Sequence, residues 1–153
     1  VKLQVSGLAK WHSDRGRPMQ VEIHRQRAGY KTKLQGIVIV CVDNMTSRRK
    51  IFAACRWNLG VPLYIEAGAA ENVGHVRVLM PHDKDQVKVY DQILKIYSGG
   101  GPPPCVSPHM GGVFASVIAD WLRRFAATSA PQYVTESIID FRKQPTIVTR
   151  HIL

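Results

Sequence analysis

The chain has 153 residues, 45% of them hydrophobic and 21% charged, which suffices for one globular domain with a real core and excludes a disulfide miniprotein or a wholly disordered chain. Lysine and arginine number 21 against 11 acidic residues, a formal net charge of +10 that either favours acidic partners (nucleic acid, nucleotide phosphates, an acidic protein surface) or serves solubility alone. No apolar run approaches the roughly 18–20 residues of a membrane span, no basic-then-apolar leader is visible, and Cys41, Cys55 and Cys105 form no CxxC pair; a reducing, cytoplasmic setting without membrane, disulfide framework or structural zinc is therefore expected.

In chain order, Leu3–Lys10 reads as a weak helical turn or two, Ser13–Pro18 as a loop, and the alternation Val21-Glu22-Ile23-His24 as a strand with one covered face. The chain opens with Val1 rather than Met, which fits processing or a piece of something longer. Ile37–Val42 is the clearest strand, continuously apolar and largely β-branched, as a central parallel strand buried on both faces would be. It ends in Asp43-Asn44, and Thr46 or Ser47 is expected to cap a helix carrying Ile51, Phe52, Ala54 and Cys55 on one face. Asn58-Leu59-Gly60 supplies its stop, and Pro62–Ala67 is a second strand, giving a βαβ unit.

Gly68-Ala69-Ala70 reads as the approach to a turn and His75–Met80 as an alternating strand; Gln86–Tyr97 fits either a strand pair or a short helix. Ser98–Pro104 joins glycines to prolines and reads as the most flexible stretch. Val113, Phe114, Val117, Ile118, Trp121, Leu122 and Phe125 recur at helical spacing, with Gly111 and Gly112 permitting close backbone approach at the start. Tyr133–Phe141 and Thr146–Val148 close the pattern as two strands joined by a basic turn.

Asp43 stands where open α/β sheets bind ligands, at the carboxyl end of a parallel strand, and is either a magnesium ligand beside a nucleotide or an ordinary helix cap. Cys105 is in a loop-like context ahead of a helix and is either an ionisable nucleophile or an incidental thiol; Cys41 and Cys55 read as core packing. His82-Asp83 reads as a solvated loop in preference to a phosphate or metal site, and Gly99-Gly100-Gly101 lacks the strand and helix of a phosphate fingerprint.

Ile37–Val42 followed by Asp43-Asn44-Met45-Thr46-Ser47-Arg48 resembles the strand-then-DNxxxR signature of the ubiquitin-activating-enzyme superfamily, which includes the ThiF- and MoeB-type adenylyltransferases. Phe52-Ala53-Ala54-Cys55, Gly60-Val61-Pro62, Glu66-Ala67-Gly68, Gly74-His75-Val76 and Gly111-Gly112-Val113 follow in the family's order, so the similarity spans about Val21 to Phe125. The resemblance implies a Rossmann-like, partly parallel α/β sheet with flanking helices. It implies Mg-ATP-dependent adenylation of the C-terminus of a ubiquitin-like or sulfur-carrier protein, with optional thioester transfer to a loop cysteine, in a homodimer or heterodimer. Carried over, Asp43 binds magnesium and nucleotide phosphates, Asn44 and Arg48 shape the pocket, Lys2 matches the phosphate-contacting lysine, and Cys105 falls in a crossover-like loop spanning 82–109. The family's opening strand, GxGxxG turn and N-x-x-R-Q motif are absent, as are its CxxC zinc pairs. The expectation is accordingly a single ThiF-like domain over 1–153, incomplete at its N-terminus, that lacks the first nucleotide-binding βαβ and makes no complete ATP site alone. An inactive scaffold of the same fold and a basic nucleic-acid-binding module are the rival readings.

Overall fold

The computed structural model describes residues 27–70, 72–96, 108–127, 130–142 and 147–153. Lys2, Cys105 and the elements expected before residue 27 lie outside the described residues. Strand β1 is short, Val38–Val40, and leads through Cys41–Asn44 into helix α1, Met45–Cys55. The cap is Asn44 rather than Thr46 or Ser47: its extended backbone (φ −131°, ψ 147°) aims the side-chain oxygen at the Ser47 amide, 2.8 Å away. The helix stops before the expected Asn58-Leu59-Gly60, because Trp57 takes a left-handed φ of 62° and donates its amide to Pro81 O.

Strand β2, Tyr64–Ala70, lies parallel to β1, with Val40 opposite Glu66 as the last pair. Gly68–Ala70, read as the approach to a turn, continue β2, since Ala70 pairs with Val73 at the start of the antiparallel strand β3, Val73–Leu79. Helix α2, Lys84–Ile96, settles the ambiguity at Gln86–Tyr97 and takes up much of the expected 82–109 loop. Val87, Tyr90 and Leu94 fall on one buried face, and Asp83 Oδ1 accepts the Asp85 and Gln86 amides at 3.0 Å each. Helix α3, Pro108–Ala126, is followed by β4, Thr135–Asp140, and β5, Ile147–Ile152, both antiparallel to their neighbours.

Among the described residues the sheet is mixed, five strands in the order β1-β2-β3-β4-β5 with one parallel pair, and three helices flank it: an α/β architecture. Side chains alternate along β2. Tyr64 packs with Phe52 and Val40 and with Val87, Tyr90 and Leu94 under α1 and α2. Leu63, Ile65 and Ala67 turn the other way, joining Val76, Val78 and Ile139 under Val117 and Trp121 of α3.

Two further expectations fail at this level. Strand β1 pairs only with β2 among the described residues, and Ile37 and Ile39 are 40% and 44% exposed, so it is not covered on both faces. A β-branched run satisfies a partly exposed strand as well as a fully buried one. Gly111 and Gly112 mark no close approach, since a Cβ at either would meet nothing within 4 Å among the described residues. The close approach is at Gly74, where a Cβ would come within 2.3 Å of the Phe114 ring on α3. No helix among the described residues is long and apolar enough to cross a membrane.

Candidate functional site

Beyond their last paired residues, Val40 and Glu66, β1 and β2 separate, and two cavities open there. The larger, about 1250 Å³, is lined by Asp43, Asn44 and Ser47 and by four cationic residues, Arg27, Lys31, Lys33 and Lys50. The smaller, about 260 Å³, lies among Cys41, Val42, Asp43, Arg48, Ala67, Gly68, Ala69 and Phe114. Asp43 lines both. Its carboxylate Oδ1 accepts a 2.8 Å hydrogen bond from Asn44 Nδ2, while Asn44 Oδ1 is committed to the helix cap. The cap is therefore Asn44's work, which leaves the Asp43 carboxylate exposed to the cavities.

Arg48 is buried. It lies one turn into α1, on the side that faces the sheet, and its Nη2 donates to Val42 O at 2.7 Å and to Ala67 O at 2.9 Å. Its Nη1 pairs with Glu66 Oε1. Glu66 is fully buried on β2 and gathers further partners from α2 and β3: Tyr90 Oη of α2 donates to Oε2, and on β3 Arg77 Nη1 and His75 Nε2 stand 3.3 and 3.0 Å from Oε1. Arg77 also pairs with Glu136 of β4 at 2.6 Å through Nη2 and 2.7 Å through Nε. Among the described residues two glutamates, Glu66 and Glu136, face two arginines, Arg48 and Arg77. His75 Nε2 is also 3.1 Å from Arg77 Nη1; it either donates to Glu66 or accepts from Arg77.

These charges set each other's titration. Burial works against ionisation of Glu66, but the His75 hydrogen bond and the Arg48 and Arg77 charges outweigh it and hold the carboxyl below its ordinary 4.5. Burial and the Arg77 and Arg48 charges hold His75 below its ordinary 6.5, against the pull of Glu66. Gly68 is required by this crowding, because a Cβ there would stand 2.7 Å from both Arg48 Nη2 and His75 Cε1.

Asp43, Asn44 and Arg48 are thus brought together, but in different layers: Asp43 and Asn44 on the surface, Arg48 beneath them. Cys41, expected in the core, is exposed just beyond β1. Cys55 is buried, and burial pushes its thiol up to about 12. Asp83 caps α2. Among the described residues no three His, Cys, Asp or Glu side chains form a group that could hold a metal ion. Arg77 and Tyr90 carry no motif that marks them, and Glu66 entered only as part of the stretch Glu66-Ala67-Gly68, without a role. The available signal was a lone acid inside the apolar strand Tyr64-Ile65-Glu66-Ala67 facing His75-Val76-Arg77, whose polar side chains alternate. Compared with known proteins, the chain matches no family model and no curated protein.

Proposed function

We propose that the protein is a ThiF-like adenylating enzyme that uses ATP to activate the C-terminal carboxylate of a ubiquitin-like or sulfur-carrier protein, with the nucleotide phosphates at the carboxyl end of β1. The observation that carries this reading is Asp43, an exposed carboxylate shared by a cationic cavity and a narrow one at the end of a parallel strand pair. In the reaction a carrier carboxylate oxygen bonds to the α-phosphorus of ATP, the bridging oxygen leaves with pyrophosphate, and an acyl-adenylate remains. Arg27, Lys31, Lys33 and Lys50 attract and neutralise the phosphates. The narrow cavity, walled by Gly68, Ala69 and Phe114, admits a slender group such as a glycine terminus.

A single carboxylate facing open space suits magnesium, which keeps several waters and takes its other ligands from phosphate. Asp43 would hold the ion, which when bound supplies charge neutralisation to the phosphates. Asn44 keeps the Asp43 side chain in place through its 2.8 Å hydrogen bond. Lys2, as a further phosphate contact, and Cys105, as an acceptor thiol, belong to the reading through the family resemblance alone.

The test is ATP–pyrophosphate exchange by the full-length protein with a glycine-terminated carrier. Asp43→Ala is expected to lower exchange on the order of 100-fold with the thermal midpoint unchanged. Full exchange by the folded variant would remove Asp43 from the chemistry, and an inert wild-type protein would remove the adenylation reading.

A further inference from the structure

Pairing of β1 with β2 ends at Val40–Glu66, yet the chain must keep Asp43 in a defined place beyond that point. Arg48 takes over where the ladder stops: one nitrogen, Nη2, bridges Val42 O and Ala67 O across the diverging strands. Val42 O belongs to the peptide group that enters Asp43. The guanidinium is aimed by its other end, where Nη1 meets Glu66 Oε1, and Glu66 is in turn held by Tyr90 at Oε2 and by Arg77 at the shared Oε1. Gly68 leaves the space in which the guanidinium lies.

We propose that Arg48, locked by Glu66, is a latch that fixes the carboxyl ends of β1 and β2 and thereby positions the Asp43 carboxylate between its two cavities. Arg48 also borders the narrow cavity, but the role assigned to both residues is positioning, and its catalytic consequence rests on the adenylation reading above. A general stabilising role would require only that the charges be paired. The latch requires the fork of an arginine, in which Nη2 reaches both carbonyls while Nη1 holds the carboxylate; a lysine supplies the charge on a single nitrogen.

The experiment compares wild type, Arg48→Lys and Glu66→Gln by peptide-resolved amide exchange and by pyrophosphate exchange in the full-length protein. In both variants amides in 42–44 and 67–69 are expected to exchange about tenfold faster while those of β3 and β4 keep their wild-type protection. The ratio kcat/KM is expected to fall on the order of 100-fold, as a displaced catalytic group would cause. Unchanged exchange at 42–44, or uniform acceleration across the sheet, overturns the latch, as does loss of the fold in both variants. An inert wild-type protein counts against adenylation alone, because amide exchange judges the latch without any ligand.

Discussion

On one face of the sheet α3 covers Leu63, Ile65, Ala67, Val76 and Val78 with Val117 and Trp121 in an apolar layer. On the other, α1 and α2 bury Arg48 and Glu66 among Phe52, Tyr64 and Tyr90, with Arg77 beside them. Ile65 and Glu66 are chain neighbours with 0% exposure each, and they point into these two different environments. The apolar layer resists unfolding by the area it removes from water. The charged layer gains little net stability from its pairs but dictates geometry, because each group must meet its partners at hydrogen-bonding distance.

Substitutions on the two faces sharpen that contrast. Glu66→Ala leaves Arg48 and Arg77 buried with one counter-charge missing and is expected to cost about 3–5 kcal/mol in urea unfolding. Ile65→Ala, one residue away, is expected to cost about 2–5 kcal/mol through lost burial and a cavity, with site geometry kept. If Ile65→Ala impaired pyrophosphate exchange in the folded protein as much as Arg48→Lys does, the division of labour would be wrong. Gly74→Ala presses a methyl into the Phe114 ring and is expected to cost about 1–3 kcal/mol, read as a lower thermal midpoint.

The faces also differ in their response to pH. His75 binds its proton less readily folded than unfolded, so stability falls as pH drops through 6.5, where the unfolded chain protonates first. Glu66 stays ionised in the folded state below 4.5, so its contribution is present above that value and is lost as pH falls through its lower folded value. Denaturation followed at pH 7, 6, 5 and 4 is expected to show both declines in wild type. His75→Gln is expected to abolish the first, and Ile65→Ala to keep both. The smallest expected effect lies outside both layers: Trp57→Gly relieves a left-handed φ of 62° at the end of α1 and is expected to stabilise by about 1 kcal/mol in the same unfolding assay.

Much of the apolar architecture was legible in the sequence. Val113, Val117, Trp121 and their neighbours recur at helical spacing over several turns, and α3 forms there. Ile37–Val42 ending in Asp43-Asn44 marks the strand end at which the cavities open, so Asp43 was accessible to pattern reading. The exposure of β1 was not, because a run of Ile and Val is compatible with either a covered or a partly exposed strand. Helix α2 was obscured by the alternation Val87-Lys88-Val89, and what decides it is the Asp83 cap and the buried Val87, Tyr90 and Leu94. The charged layer was the least legible. Glu66 meets Arg77 and His75 only through the hairpin register, and Arg48 only through the packing of α1; neither relation exists along the chain.

The most direct test joins Asp43 to the layer beneath it: a double-mutant cycle of Asp43→Asn and Arg48→Lys on kcat/KM for pyrophosphate exchange. If Arg48 acts by positioning Asp43, the double variant will be no slower than Asp43→Asn alone. Losses that simply multiply would contradict the account, showing that the two residues act independently.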